Sequence, residues 1–153
     1  MGPACHRARH AGVSWSTSHS TRRDTVDLAL WIITGVLAAA YFFGGAGKLV
    51  LPKQKIAAAG PSAAWTEDWS AGAIKAIGAL EVLGAVGLVL PAVLGIAPAL
   101  VPVAATGLVV VMVGATAVRV RRRESKLAVV DLVYLALLVF VVWGRLVAVP
   151  FTG

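Results

Sequence analysis

Residues 72–91 read GAIKAIGALEVLGAVGLVLP, an apolar stretch with only two charged side chains, Lys75 and Glu81. At a rise of about 1.5 Å per residue, a helix of this length crosses the roughly 30 Å hydrocarbon core of a bilayer. Buried helices of soluble proteins are the alternative, but they seldom run this long without a polar face. Three similar apolar blocks accompany it, at residues 26–47, 95–118 and 127–149. The sequence therefore predicts an all-α membrane protein, an antiparallel four-transmembrane-helix bundle.

The composition supports a lipid environment. Of the 153 residues, 59% are hydrophobic and 14% are charged, whereas soluble domains have about 45–50% and about 25%. A chain this short cannot hide the excess in a soluble core. The net charge of +7 comes without a basic face or an aromatic RNA-binding motif, so we expect the partner to be the lipid bilayer and not nucleic acid.

The remaining sequence divides into tails around one membrane domain. Residues 1–25 are polar and basic and predict a disordered tail, residues 26–149 form the domain, and residues 150–153 are a short C-terminal tail. The single cysteine, Cys5, lies in the first tail together with all three histidines, so no disulfide within the chain and no helix-borne His pair is available. We therefore expect no metal site.

The loops leave the orientation open. Residues 48–71 form the long first loop, in which residues 52–59 predict a short interfacial helix that Gly60-Pro61 ends. This loop and the basic third loop, residues 119–126, carry more Lys and Arg than the other side, which favours both termini outside the cell. Arg22 and Arg23, directly before the first block, argue for the opposite orientation.

Polar residues inside the blocks fall mainly in one leaflet. Lys48 lies where the first helix ends, and Lys75 and Asp131 lie where the second and fourth helices begin. Three further polar residues, Tyr41, Glu81 and Tyr134, lie about one to two turns deeper. Charged groups at this depth usually face the bundle interior. The predicted intramembrane polar cluster is Lys48, Lys75, Glu81, Asp131, Tyr41 and Tyr134.

Two interpretations of this cluster remain open. In the first it is structural, a charge-balanced set that orients the bundle while the tyrosines donate hydrogen bonds to carboxylates. In the second it is a pocket for a polar head group, such as a quinone ring or a small acid, with Glu81 as the proton-exchanging group. At the other membrane face, Asp27 and Arg145 either pair with each other or contact water and lipid head groups.

Several of these segments resemble the DoxX-like membrane family. They are the end of the first block, YFFGGAGKL at residues 41–49, the pattern of Lys, Gly and Glu through residues 75–91, and the ending Trp143-Gly144-Arg145. The resemblance covers roughly residues 26–149 and implies a four-helix inner-membrane protein. It places Lys48, Lys75 and Glu81 in the family pattern but transfers no catalytic role. The family takes its name from a subunit of an archaeal thiosulfate–quinone oxidoreductase.

These observations lead to two functional hypotheses. The first is an accessory or structural subunit of a membrane redox or stress-linked system, without enzyme activity of its own and with a membrane or redox protein as partner. The alternative is a quinone- or small-molecule-binding component of a membrane oxidoreductase. Quinone is the one cofactor that we consider, and the catalytic residues stay unknown. We expect a multi-pass protein of the bacterial inner membrane, and its oligomeric state is open.

Overall fold

The computed structural model describes residues 16–97 and 99–148, and these consist of helices and the turns between them, without a β-strand. The elements in chain order are α1 (Ser16–Val50), α2 (Lys53–Ala57), a 3-10 helix (Pro61–Asp68), α3 (Ala71–Leu94), α4 (Leu100–Arg121), α5 (Ser125–Trp143) and a π-helical turn (Gly144–Ala148). Four of them, α1, α3, α4 and α5, are long and apolar enough to cross a membrane. The predicted four-helix membrane fold is confirmed.

The four long helices close into a bundle. α1 packs mainly against α3, α3 against α4, and α4 against α5, while α5 also contacts α1. Leu37, Leu88, Leu108 and Leu138, one from each helix, are fully buried where the helices meet. The outer faces carry exposed apolar side chains such as Leu28, Ile32, Val36 and Phe43. Because lipid is the solvent on that side, such residues are stable there.

The first helix begins earlier than predicted. α1 begins at Ser16, whereas the sequence predicted residue 26, so the expected disorder is wrong for residues 16–25. No Gly or Pro interrupts this segment, and extending an existing helix is much easier than nucleating one. The Thr25 hydroxyl donates to the carbonyl of Thr21 at 2.8 Å, one turn earlier. Residues 1–15 lie outside the described residues.

The turn between α3 and α4 corrects two predicted boundaries. α3 continues to Leu94, past Pro91, and ends where Gly95 adopts a left-handed conformation with φ of 64°. A glycine takes this conformation without steric strain. α4 then begins at Leu100 and not at Gly95 as predicted, with Pro102 in its first turn, where a proline is tolerated. Pro98 lies outside the described residues.

The other boundaries agree more closely. The first loop contains the predicted short helix, α2, over Lys53–Ala57, and the 3-10 helix follows it. α4 ends at Arg121, three residues later than predicted, and the turn to α5 is tight, with Arg123 at φ of 59°. α5 gives way at Gly144 to the π-helical turn, and residues 149–153 lie outside the described residues.

Candidate functional site

A cavity of about 410 Å³ lies at the end of the bundle where α1 and α4 end and α3 and α5 begin. All four spans contribute to its walls, and Trp65 and Trp69 of the first loop complete the lining. Its volume falls in the range of small-molecule sites, about 300–1,000 Å³. Five of the six predicted polar residues line it: Tyr41, Lys48, Glu81, Asp131 and Tyr134.

An ion pair between α1 and α3 forms one side of the cavity. The Lys48 Nζ donates a hydrogen bond to Glu81 Oε2 at 2.6 Å. The Glu81 side chain is only 6% exposed, and that of Lys48 is 20% exposed. A buried carboxylate without a counter-ion is strongly unfavourable, and the Lys48 ammonium supplies that counter-ion to Glu81 inside the bundle.

Two glycines bring the partners of this pair together. Gly45 on α1 faces Gly78 on α3, and a Cβ atom added at Gly45 would lie 2.6 Å from the Gly78 carbonyl oxygen. A Cβ atom at Gly78 would lie 2.8 Å from the Gly45 oxygen. Small residues at such crossings let membrane helices approach closely. The close approach places Lys48, one turn beyond Gly45, within reach of Glu81.

A second ion pair, between α4 and α5, forms the opposite side. Arg119 Nε lies 2.7 Å from Asp131 Oδ2, and Asp131 is buried. The same guanidinium reaches Glu124 Oε2 at 3.2 Å. Arg119 was predicted only as part of the basic third loop. The extra turn at the end of α4 makes it a helical residue, and the tight turn into α5 brings it beside Asp131.

Two tyrosines occupy the deeper part of the site. The rings of Tyr41 and Tyr134 pack edge to face, with centroids 6.0 Å apart and an interplanar angle of 74°. Tyr41 is 5% exposed, and its hydroxyl has no hydrogen-bond partner among the described residues. Buried hydroxyl groups are normally hydrogen-bonded. Tyr41 lines the cavity, so this unpartnered hydroxyl belongs to a residue of its polar end.

The rest of the wall is apolar and comes largely from α4. Its residues have small or aliphatic side chains and follow the cavity along two turns: Val110, Val111, Gly114, Ala115 and Val118. The cavity is thus polar at the pairs and the tyrosines and apolar along α4. This division suits a molecule with a polar head and an apolar body.

The first loop covers this end of the bundle and is fastened to the third loop. Arg122 contacts Asp68 at 2.7 Å, Glu67 at 3.5 Å and Glu124 at 2.8 Å. Its hydrogen bonds to Glu124 and then Asp68 raise the pKa of the Arg122 guanidinium above its usual range. The guanidinium therefore stays protonated throughout the physiological pH range, so these three carboxylates keep their cationic partner.

Two more contacts position the tryptophans of the loop. The Lys53 ammonium donates to the backbone carbonyl of Trp69 at 2.7 Å. The Lys48 Nζ lies 6.0 Å from the centre of the Trp65 ring, at the limit of a cation–π contact. Sequence reasoning missed both tryptophans as cavity residues, because their place depends on contacts between loops that are far apart in the chain.

Lys75 does not join the cluster. It is exposed, does not line the cavity and pairs with no carboxylate among the described residues. The buried face of α3 runs through Ile74, Gly78 and Glu81, and Lys75 lies one residue, about 100°, away from it. Its depth in the membrane was judged by the rise along the helix, but its direction around the helix takes it away from the cavity.

The other membrane face holds a separate ion pair. Arg145 Nη1 donates to Asp27 Oδ1 at 2.6 Å, and the guanidinium carbon lies 5.3 Å from the centre of the Trp31 ring. Of the two possibilities that the sequence left open, the structure shows the pairing of Asp27 with Arg145. It joins α1 to the π-helical turn and lies outside the cavity lining.

The described residues include no group of three or more His, Cys, Asp or Glu side chains that could hold a metal ion. The comparisons with known proteins give one family. The model of the DoxX-like family matches residues 32–141, a range that contains the five predicted residues of the cavity together with Arg119 and both tryptophans. Neither the curated proteins nor the solved structures give a significant match. Because the matched range covers well over half of the chain, this membrane protein belongs to the DoxX-like family.

Proposed function

We propose that this protein is a quinone- or small-molecule-binding component of a membrane oxidoreductase in the bacterial inner membrane. The observation that carries the proposal is the amphipathic cavity inside the membrane-spanning helices. One end has two ion pairs and two tyrosines, and the wall along α4 is apolar. A molecule that dissolves in lipid and carries a polar head matches both parts.

The polar end also suits proton exchange with such a head. Glu81 accepts a short hydrogen bond of 2.6 Å from the Lys48 ammonium, so a proton donor lies directly beside this carboxylate. Carboxyl groups are among the side chains that act as general acids or bases when they lie within hydrogen-bond reach of the reacting group. Glu81 is then the proton-exchanging group. Electrons for a quinone would come from a redox protein partner. In that case the protein is an accessory subunit that holds the quinone for this partner.

Two glycines of α4 provide a matched test. Gly114 lines the cavity, Gly107 lies outside its lining two turns earlier, and a Cβ atom at either position meets nothing within 4 Å. A Gly114→Leu side chain would extend into space beside the cavity wall, whereas Gly107→Leu would add the same side chain elsewhere on α4. The measurement is equilibrium binding of decyl-benzoquinone to the purified protein in nanodiscs, compared with empty nanodiscs.

We expect the wild type to bind the quinone saturably. Gly114→Leu should bind it at least tenfold more weakly, which corresponds to a change of about 1.4 kcal/mol or more in binding free energy. Gly107→Leu should bind it within about twofold of the wild type. Thermal unfolding of both variants checks that the bundle is intact. Binding by the wild type that does not exceed partitioning into empty nanodiscs would overturn the proposal. Equal losses in both variants would also contradict it, because the cavity would then not be the site.

A further inference from the structure

The charges that line the cavity cancel each other. Lys48 is paired with Glu81 at 2.6 Å, and Arg119 is paired with Asp131 at 2.7 Å. Glu124 adds a further carboxylate to Arg119 from outside the lining. Each cation therefore already has a carboxylate partner. A ligand with an acidic head would add a negative charge that no unpaired cation of the lining balances, and displacing one of these carboxylates would leave it unpaired at a cost.

Of the two tyrosine hydroxyls that the lining residues carry, the one of Tyr41 is buried without a hydrogen-bond partner among the described residues. The Tyr41 ring is held in place by its edge-to-face contact with Tyr134. A phenol donates one hydrogen bond and is uncharged at neutral pH. Leaving it unsatisfied is unfavourable, so an acceptor oxygen of a ligand gains affinity here.

We infer that the ligand of this cavity has an uncharged head that presents a carbonyl oxygen to the Tyr41 hydroxyl. The inference rests on the proposed function and decides between the two head groups that the sequence left open, a quinone ring and a small acid. Tyr41 is then the residue that determines specificity for the head, while the paired charges exclude anions. The apolar wall of α4 takes the body of the ligand.

A second hydroxyl of α1 supplies the control. The Thr34 hydroxyl is also buried and also has no partner among the described residues, but Thr34 lies two turns before Tyr41 and does not line the cavity. Tyr41→Phe and Thr34→Val each remove one hydroxyl and keep the shape of the side chain. A difference between the two variants therefore reports on position in the cavity and not on the loss of a buried hydroxyl.

The experiment measures binding of two probes to the full-length protein in nanodiscs. Decyl-benzoquinone carries the neutral carbonyl head, and para-decylbenzoate carries a carboxylate on the same alkyl chain. We expect the wild type to bind the quinone at least tenfold more tightly than the benzoate. Tyr41→Phe should weaken quinone binding about five- to tenfold, the loss of one hydrogen bond, and Thr34→Val should leave it within about twofold.

The outcomes separate the inference from the proposed function. A wild type that binds neither probe overturns both. Quinone binding that Tyr41→Phe leaves unchanged, or benzoate binding as tight as quinone binding, overturns the inference while the binding function stands. The comparison of the two probes uses only the wild type, so it tests the charge argument even if Tyr41→Phe does not fold.

Discussion

Replacing Gly45 with alanine would place a methyl group in the closest contact between α1 and α3. The new Cβ atom would lie 2.6 Å from the Gly78 carbonyl oxygen, where ordinary contact begins at 3.4 Å, and 3.0 Å from Glu81 Cβ and Val82 Cγ2. The two helices must therefore separate by several tenths of an ångström. Overpacking of this kind costs about 1–3 kcal/mol, which for a chain of about 150 residues lowers Tm by roughly 2–12 °C.

The assay is thermal unfolding in mild detergent, followed by intrinsic tryptophan fluorescence. Gly47→Ala is the matched control, because it lies two residues further along α1 and its Cβ atom would meet nothing within 4 Å. We expect Gly45→Ala to lower Tm and Gly47→Ala to leave it unchanged or raise it slightly, since alanine favours a helix over glycine. Equal Tm values for Gly45→Ala and the wild type would refute the close packing of α1 on α3.

Two further perturbations test the ion pairs. Lys48→Met leaves the carboxylate of Glu81 buried without its counter-ion, so we expect a loss of about 1–3 kcal/mol in unfolding free energy, reduced from the value for a fully buried pair because Lys48 is 20% exposed. Lys75→Met should change it by less than about 0.5 kcal/mol, and equal effects in steric-trap unfolding would contradict the pairing. Arg122→Gln removes the ion pairs to the first loop, so iodide should quench the fluorescence of the loop tryptophans more strongly than in the wild type. Arg121→Gln, a change at an exposed neighbouring residue, is the control and should not increase quenching. Identical quenching in the two variants would show that the contacts of Arg122 do not hold the loop.

The sequence predicted the four spans because length and apolarity decide whether a segment crosses a bilayer, and both are local properties. It also predicted that most of the polar residues lie at one end of the bundle, because the rise along a helix sets their position along its axis. Tyr41, Lys48 and Glu81 satisfy a second condition as well, since each lies on a face that carries small residues and packs against a neighbour. The structure places these three side chains around one cavity. Their position along the helix axis and the helix face on which they lie together indicated this arrangement.

The errors arise where depth alone was used or where contacts are distant in the chain. Lys75 shares the depth of Lys48 but lies off the buried face of α3. Arg119 was counted with a loop because no Gly or Pro marks where α4 ends, and its partner Asp131 is reached only after the tight turn. The position of Trp65 depends on the contacts between Arg122 and Asp68, which are 54 residues apart.

The most direct test of the cavity as a ligand site is photo-crosslinking in nanodiscs with a photoreactive quinone, followed by mass spectrometry of the labelled peptides. We expect label on the cavity wall of α4, between Val110 and Val118, and on the tryptophans of the first loop, and we expect an excess of decyl-benzoquinone to prevent it. Label that is spread over the lipid-facing residues Leu28, Ile32 and Val36, and that excess quinone does not reduce, would contradict a binding site inside the bundle.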